Sequence, residues 1–122
     1  ALEHALGGEI FVPKIPSYRI IDVAKAIAPT ASHPIVGIRP GEKLHEEMIT
    51  SSDSYSTVDL GPHYAILPSG DASMHARYID ATGATPVAPG FTYSSGTNER
   101  FLTVDELRGL IREQVDANFK PV

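Results

Sequence analysis

The first fifty residues contain short apolar runs that switch between the spacing of a strand and that of a helix. Glu9–Lys14 is rich in β-favouring residues and stops at Pro13, which is typical of a short strand. Ser17–Pro29 follows with a helical spacing, and Ser17 is a residue type that caps helices. The predicted apolar face of this helix consists of Ile20, Ala24, Ile27 and Ala28. The pattern therefore predicts a strand followed by an amphipathic helix.

A second strand and helix are predicted directly downstream. His33–Pro40 is mostly apolar, which suits a buried strand. Gly41–Ile49 then places Leu44 and Met48 one helical turn apart. Strands that alternate with helices favour a layered α/β fold with parallel strands. We therefore expect a small α/β subdomain with short parallel strands and helices.

The middle of the chain is richer in Gly, Pro, Ser and Thr and is predicted to hold shorter elements. Two short strands are expected about the Gly61–Pro62 turn. A helix is expected after them, capped by Asp71 and stopped by Gly83. Residues 85–98 are predicted to be loop.

The last helix has a clear start signal. Thr103 and Glu106 form a T-x-x-E capping box. The apolar stripe predicted for this helix consists of Leu107, Leu110, Ile111 and Val115.

Length, charge and composition narrow the class of protein. The 122 residues suit one domain, which we place over residues 1–122. The net charge is −5 and no run of Lys and Arg occurs, so we expect no general nucleic-acid binding. The chain has no cysteine, which fits a reducing compartment, and we expect a cytoplasmic location. The apolar runs are far shorter than the ~20 residues that a membrane span needs, so we expect none.

Arg39 and Glu42 are the first candidates for ligand binding. Arg39 ends the second predicted strand, an edge where α/β sheets bind ligands, and its planar fork suits a phosphate group. Glu42 could accept hydrogen bonds from a pair of sugar hydroxyls. An ordinary explanation remains open, in which Glu42 complements a helix dipole and Arg39 pairs with a surface carboxylate.

Two further segments carry candidate side chains. Lys14 and Tyr18 flank Ile15, Pro16 and Ser17 just after the first predicted strand, where Lys14 could meet an anion or simply face solvent. Tyr93–Asn98 forms a polar loop that could cover a pocket. His45 has no second ligand at metal spacing, so no metal site is assigned.

Catalytic signatures are missing from the sequence. There is no Gly-rich dinucleotide turn, no Tyr-x-x-x-Lys pair and no recognisable Ser/His/Asp set. We therefore assign no catalytic and no cofactor-binding residue to this chain.

Three strings carry a family resemblance: "GGEIFVPKIPSYRIIDVAKAIAP", "IVGIRPGEKLHEEMI" and "YSSGTNERFLTVDELRGLI". In this order they resemble the C-terminal portion of the inverting UDP-N-acetylglucosamine 4,6-dehydratases, members of the extended short-chain dehydrogenase/reductase superfamily that make capsule, O-antigen and flagellin sugars in bacteria. UDP-sugar 4-epimerases share the same C-terminal motifs and are the alternative. The resemblance covers nearly the whole chain and is weakest between Ser51 and Val87.

The resemblance implies a role for each candidate residue. Arg39 would face the nucleotide diphosphate and Glu42 the uridine ribose. The Lys14–Ser17 segment, which includes Ile15 and Pro16, would line the nucleotide, with Tyr18 beside it. The loop with Tyr93 and Asn98 would help to close the pocket. A UDP-sugar is the expected ligand, and a homo-oligomer is expected.

The chain also departs from the family pattern. The N-terminal Rossmann domain of such enzymes, with its NADP, its Tyr/Lys pair and its catalytic aspartate, is not among these 122 residues. We therefore expect a substrate-binding subdomain of a dehydratase without a cofactor of its own. The competing hypothesis is a stand-alone nucleotide-sugar binding or regulatory module without catalysis.

Overall fold

The computed structural model describes residues 5–68 and 72–122. The chain divides into two compact units. The sheet unit comprises Ala1–Ile15 and His45–Thr97, and the helical unit comprises Pro16–Leu44 and Asn98–Val122. The predicted cap Asp71 lies outside the described residues.

The architecture is mixed α/β. The strands are β1 (Ile10–Pro13), β2 (Glu47–Ile49), β3 (Thr57–Asp59), β4 (His63–Ile66), β5 (Thr85–Pro86) and β6 (Tyr93–Ser94). The helices are α1 (Ile20–Ile27), α2 (Ala72–Thr82) and α3 (Val104–Gln114), with a 3₁₀ turn at Asp53–Ser56. None of the helices in the described ranges is long and apolar enough to cross a bilayer.

The strands of the sheet unit form two sheets. One has the order β1-β4-β3-β5, and the other pairs β2 with β6. All of these pairs are antiparallel. The prediction of parallel strands is therefore wrong for both sheets. The physical reason is that β1 does not pair with the next apolar run along the chain but with β4, which belongs to a local hairpin.

The hairpin between β3 and β4 was predicted and is confirmed. Gly61 has φ of 91°, a left-handed conformation that favours glycine. The Gly61 N–H donates to Asp59 Oδ1 at 2.7 Å, and Leu60 N–H donates to the His63 carbonyl at 3.0 Å. These bonds close a tight turn, which only antiparallel neighbours can share.

The core of the sheet unit lies between the four-stranded sheet and α2. Its buried members are Val58, Ala65, Leu67, Tyr78 and Ala84, with Phe11, Leu60 and Ile79 packed against them. Burying a large apolar side chain contributes about 1.5–3 kcal/mol, so this cluster supplies much of the stability of the unit. The helix that holds Tyr78 ends at Thr82, before Gly83 with φ of 69°, as predicted.

The helical unit is built from α1 and α3. Its core contains Ala26, Leu102 and Leu107, with Val23 and Val104 packed against them. Of the predicted α1 face, Ile20 and Ile27 are exposed, because the helix buries the side that carries Val23 and Ala26. Of the predicted α3 stripe, Leu107 is buried, whereas Leu110 and Val115 are exposed.

The start of α3 confirms the capping box. The Glu106 N–H donates to Thr103 Oγ1 at 3.2 Å, and the Thr103 N–H donates to Glu106 Oε2 at 2.8 Å. The predicted cap of α1 is wrong. Arg19, not Ser17, is the N-cap residue of α1 and makes no side-chain cap bond.

Residues 33–46 contain no strand and no helix. The predicted strand at His33–Pro40 is wrong, since Ile35 is 95% exposed and no described strand pairs with this run. The predicted helix at Gly41–Ile49 is also wrong. Gly41 has φ of 86°, which no right-handed helix contains, and Glu47–Ile49 forms β2.

Candidate functional site

Lys14 follows β1 in the sheet unit and is already engaged. Its Nζ lies 2.8 Å from each carboxylate oxygen of Asp59, which ends β3. The same ammonium lies 4.5 Å from the centroid of the Tyr64 ring, a favourable cation–π distance. Lys14 therefore has a carboxylate partner and an aromatic face before any ligand arrives.

The Asp59 carboxylate is held on two sides. Partial burial alone would raise the pKa of Asp59, but the hydrogen bonds from Lys14 and from the Gly61 N–H, with the charge of Lys14, lower it below its usual value. The carboxylate therefore stays ionised and keeps Lys14 in place across the neutral pH range.

An aromatic group stands next to this ion pair. The Tyr64 ring lies 5.2 Å from the Phe91 ring and 5.4 Å from the Tyr93 ring, measured between centroids. Burial raises the pKa of Tyr64, and the charge of Lys14 partly opposes this shift. The Tyr93 hydroxyl donates to the Ile15 carbonyl at 2.8 Å. The structure thus brings together three predicted site residues, Lys14, Ile15 and Tyr93.

A groove of about 620 Å³ runs along the same unit beside the aromatic group. Its lining includes Asp59, Tyr64 and Phe91 but not Lys14, Ile15 or Tyr93. Asp59, Tyr64 and Phe91 are not predicted as site residues from the sequence, because nothing in their local sequence indicates a contact with Lys14.

The loop after β6 is fixed by backbone pairing. The Ser95 N–H donates to the Glu46 carbonyl at 2.8 Å, and the Glu46 N–H donates to Ser95 Oγ at 3.1 Å. His45 Nδ1 lies 3.4 Å from the same Ser95 Oγ. A Cβ atom built on Gly96 would lie 3.0 Å from His45 Cγ, so the imidazole ring packs directly on this glycine.

The helical unit holds another group of predicted residues. The Asn98 side chain donates through Nδ2 to Ser17 Oγ at 3.0 Å, and Ser17 forms an isolated parallel bridge with Phe101. Pro16 and Tyr18 flank Ser17 in the chain, and the Tyr18 side chain is exposed. The segments at Ser17 and Asn98 are therefore joined within this unit, as a shared site would require.

Arg39 and Glu42 form a self-contained turn. The Arg39 N–H donates to Glu42 Oε2 at 2.8 Å, and the Glu42 N–H donates to the Arg39 carbonyl at 3.1 Å. The Arg39 Nε and Glu42 Oε1 are 3.8 Å apart, a long ion pair. The Arg39 side chain is 84% exposed, so its guanidinium is open to a dissolved anion. Because no helix begins here, Glu42 does not complement a helix dipole.

Two features of the described residues bear on metal and cofactor binding: the arrangement of their acidic and histidine side chains and the segment between β1 and α1. In residues 5–68 and 72–122, no group of three or more His, Asp or Glu side chains is placed to hold a metal ion. The segment between β1 and α1 reads Lys-Ile-Pro-Ser-Tyr-Arg, and α1 begins without a side-chain cap. These residues do not fit the glycine-rich turn with which a strand and a helix bind a dinucleotide.

Comparison with known proteins identifies the family. Residues 1–68 match the family model described as polysaccharide biosynthesis protein. The match covers more than half of the chain, and the chain belongs to this family of polysaccharide biosynthesis proteins.

Individual relatives agree with this assignment. The UDP-N-acetylglucosamine 4,6-dehydratase (inverting) of Campylobacter jejuni is 46% identical over 116 residues, which cover 89% of this chain and 34% of the relative. The UDP-glucose 4-epimerase of Rickettsia canadensis is 34% identical over 115 residues, covering 91% of this chain and 33% of the relative. The chain thus spans about a third of the length of these curated relatives.

A solved structure shares the fold. The X-ray structure of Pen from Bacillus thuringiensis superposes with a TM-score of 0.64 and 26% sequence identity. The superposition covers 93% of this chain and 33% of that one.

Proposed function

We propose that residues 1–122 form the substrate-binding portion of a UDP-N-acetylglucosamine 4,6-dehydratase that inverts C5, acting in bacterial surface polysaccharide biosynthesis. The observation that carries this proposal is the 46% identity with the Campylobacter jejuni dehydratase across 89% of the chain. The proposed ligand is a UDP-sugar. We place the protein in the cytoplasm, where nucleotide sugars are available and whose reducing conditions fit a chain without cysteine.

Arg39 is the proposed diphosphate contact. Its guanidinium is exposed and makes one ion pair, at 3.8 Å, in the described part of the chain. Two oxygens of a diphosphate can accept a pair of parallel hydrogen bonds from the Arg39 guanidinium. Such bidentate hydrogen bonds are stronger than a long ion pair of this kind. Binding of a diphosphate at Arg39 therefore requires breaking only this weak ion pair.

Glu42 is the proposed ribose contact. One of its oxygens accepts from the Arg39 N–H, and the other faces the Arg39 Nε at 3.8 Å. A carboxylate has about four lone-pair sites, so Glu42 can keep its backbone bond and still accept from two ribose hydroxyls. The turn orients the carboxylate in advance.

The remaining proposed contacts line the nucleotide. Ile15 and Tyr93 present an apolar edge fixed by their own hydrogen bond of 2.8 Å, and Lys14 offers a positive charge beside them. Pro16, Tyr18 and Asn98 flank Ser17, the residue that anchors Asn98. Their role is to hold the nucleotide.

The dehydration itself is assigned to no residue of this chain. In the proposed parent reaction the sugar is oxidised at C4, water is eliminated across C5 and C6, and hydride returns to C6. NADP would supply the hydride chemistry in the parent enzyme, and we assign its binding to no residue of this chain. We expect this chain alone to leave UDP-N-acetylglucosamine unchanged, with or without NADP. A 4-keto-6-deoxy product formed by the pure chain would contradict the assignment.

A UDP-sugar 4-epimerase is the second candidate function. The 34% identity with the Rickettsia canadensis epimerase over 91% of the chain supports it. Both reactions act on UDP-sugars, so binding of UDP tests the dehydratase and the epimerase proposals together. The product formed by the chain joined to a catalytic domain distinguishes the two proposals. If the chain is instead a stand-alone binding module, it should bind UDP, but joining it to a catalytic domain should yield no product.

Titration calorimetry of UDP against this chain tests the site. Arg39→Ala removes a charge-assisted contact worth about 1.5–3 kcal/mol, so affinity should fall roughly ten- to a hundredfold. Arg39→Lys should recover part of the loss, since lysine keeps the charge without the fork. Glu42→Gln should reduce the preference for UDP over its 2′-deoxy analogue.

Arg100→Ala is the matched control for these variants. Arg100 has a similar ion pair with Glu106 at 3.8 Å and a similarly exposed side chain. We expect its removal to leave UDP affinity unchanged. Equal affinities for the wild type and the Arg39 and Glu42 variants would remove this turn from the proposed site.

We also propose that the chain self-associates. Ile20, Ile35, Val36 and Leu44 are each largely exposed, and a surface that exposes several large apolar side chains favours association. Light scattering over a concentration series tests this, and Val36→Lys should shift the distribution toward monomer. A strictly monomeric wild-type chain at high concentration contradicts the proposal.

A further inference from the structure

The imidazole ring of His45 occupies the space that a side chain at position 96 would need. A Cβ atom on Gly96 would lie 3.0 Å from His45 Cγ, 3.1 Å from Cδ2 and 3.3 Å from Nδ1. All three distances are shorter than ordinary van der Waals contact. The ring therefore packs closely against the glycine, and this packing holds only while residue 96 has no side chain.

This contact supplements a weak ladder. β2 and β6 pair only at Glu47–Ser94 and Ile49–Tyr93, and the register shifts between these two pairs. An isolated two-stranded ladder is marginal in water. The bonds between Glu46 and Ser95 continue the pairing by one step, and the His45 ring covers the next residue of the loop, Gly96.

The segment so fixed, residues 93–97, begins with Tyr93, the first residue of β6. The hydroxyl of Tyr93 reaches the Ile15 carbonyl at 2.8 Å, and its ring lies against Tyr64. The direction of this side chain depends on the backbone of residues 93–97, because a hydroxyl at the end of a rigid ring amplifies any rotation at its base. A displacement at Gly96 that also rotated residue 93 would therefore disturb the bond with Ile15.

We infer that His45 is a positioning residue for nucleotide binding. Its ring fixes residues 93–97, which comprise β6 and the loop after it, through Gly96 and so holds Tyr93 against Ile15. The inference rests on the proposed function, in which Tyr93 and Ile15 contact the nucleotide. His45 itself touches no ligand in this scheme.

The test combines variants at both partners of the contact. Gly96→Ala places a methyl group where the ring lies, and His45→Ala removes the ring. Each should weaken UDP binding roughly three- to tenfold, the range for a residue that acts through another. The double variant should be no weaker than either single variant, since both break one contact. His45→Phe keeps a flat ring and should stay close to wild type.

Gly109→Ala is the matched control. A Cβ atom on Gly109, in α3, meets no atom within 4 Å, so this change should leave UDP affinity unaltered. Amide hydrogen exchange at Ser95, whose N–H is bonded to the Glu46 carbonyl, reports the order of the loop without any ligand. Exchange there should accelerate in His45→Ala and Gly96→Ala but not in Gly109→Ala.

The two readouts separate the possible failures. Faster exchange together with weaker UDP binding supports the inference. Unchanged exchange at Ser95 overturns the inference, and so does faster exchange with wild-type UDP affinity. In either case, a loss of UDP affinity in Arg39→Ala would still support the proposed function. If neither the wild type nor any variant binds UDP, the proposed function and this inference both fall.

Discussion

The two units present their candidate residues in opposite ways. In the sheet unit, Lys14 is bound to Asp59 at 2.8 Å and lies over Tyr64 before any ligand arrives. In the helical unit, Arg39 projects from an exposed turn with a long ion pair of 3.8 Å. An anion that approaches Lys14 must compete with a carboxylate, whereas one that approaches Arg39 displaces mainly water. Two cations that look equivalent in the sequence therefore have different capacities to bind phosphate.

The apolar residues of the two units show the same contrast. Ile49 on β2 is fully buried at 0% exposure, whereas Ile35 in the helical unit is 95% exposed. Ile35 lies in the apolar run His33–Pro40, which the sequence predicts as a strand. Ile49 lies in Gly41–Ile49, which the sequence predicts as a helix. Burial therefore depends on whether the surrounding chain supplies a partner and not on the residue type.

The largest expected effect comes from exchanging these two isoleucines for alanine. Ile49→Ala leaves a cavity in a closed environment and should lower the free energy of unfolding by about 2–5 kcal/mol. Ile35→Ala removes an exposed side chain and should change it by less than ~0.5 kcal/mol. Urea unfolding followed by circular dichroism measures both. Equal losses would show that Ile35 is buried in solution.

The next effect concerns the helical unit. Thr103→Ala removes the oxygen that accepts from the Glu106 N–H at 3.2 Å, so stability should fall by about 1 kcal/mol. Thr30→Ala, at an exposed position between α1 and the irregular residues 33–46, is the control and should be neutral. A Thr103→Ala protein as stable as wild type would indicate that α3 is stabilised by packing alone.

A smaller effect is expected at the ion pair of the sheet unit. Asp59→Asn should cost about 0.5 kcal/mol at neutral pH, because solvent screens a pair this exposed. The pKa of Asp59 is lowered in the folded chain, so its contribution is complete above about pH 4 and is lost as the pH falls through the folded value. Unfolding curves of wild type and Asp59→Asn should therefore converge on acidification. A difference that grows at low pH would contradict this sign.

The smallest effect tests the contrast between Lys14 and Arg39 directly. If Asp59 competes with phosphate for Lys14, Asp59→Asn should strengthen UDP binding by roughly two- to threefold. Calorimetry at low salt measures it. Unchanged affinity would indicate that Lys14 is a structural partner of Asp59 and Tyr64. Of the two cations Lys14 and Arg39, only Arg39 would then remain as a proposed ligand contact.

Features set by neighbouring residues could be predicted from the sequence. The capping box of Thr103 and Glu106 and the hairpin at Gly61 each depend on residues within three or four positions. Local chemistry decides them, because their hydrogen bonds close within one turn. The mixed α/β class followed from the same short-range signals.

Features set by distant residues could not be predicted. The run at Ile35 is apolar enough for a strand, but a strand needs a partner for its backbone groups, and β1 found its partner in β4 instead. The contact of Lys14 with Asp59 joins residues 45 positions apart, and that of His45 with Ser95 joins residues 50 apart. No periodicity or spacing encodes such pairs. The candidate residues were chosen one by one, and only the fold places Lys14 and Tyr93 together.

The order of the four-stranded sheet has a consequence for handling the protein. β1 and β5 are its two edges, and an edge strand can recruit the edge of another molecule. β5 has two residues, one of which is Pro86, so it offers almost no template for such pairing. β1 has four residues, ends at Pro13, and carries Ile10 with an exposed side chain. Ordered aggregation on concentration or storage should therefore begin at the β1 edge, and a lysine or glutamate in place of Ile10 is the change that should suppress it.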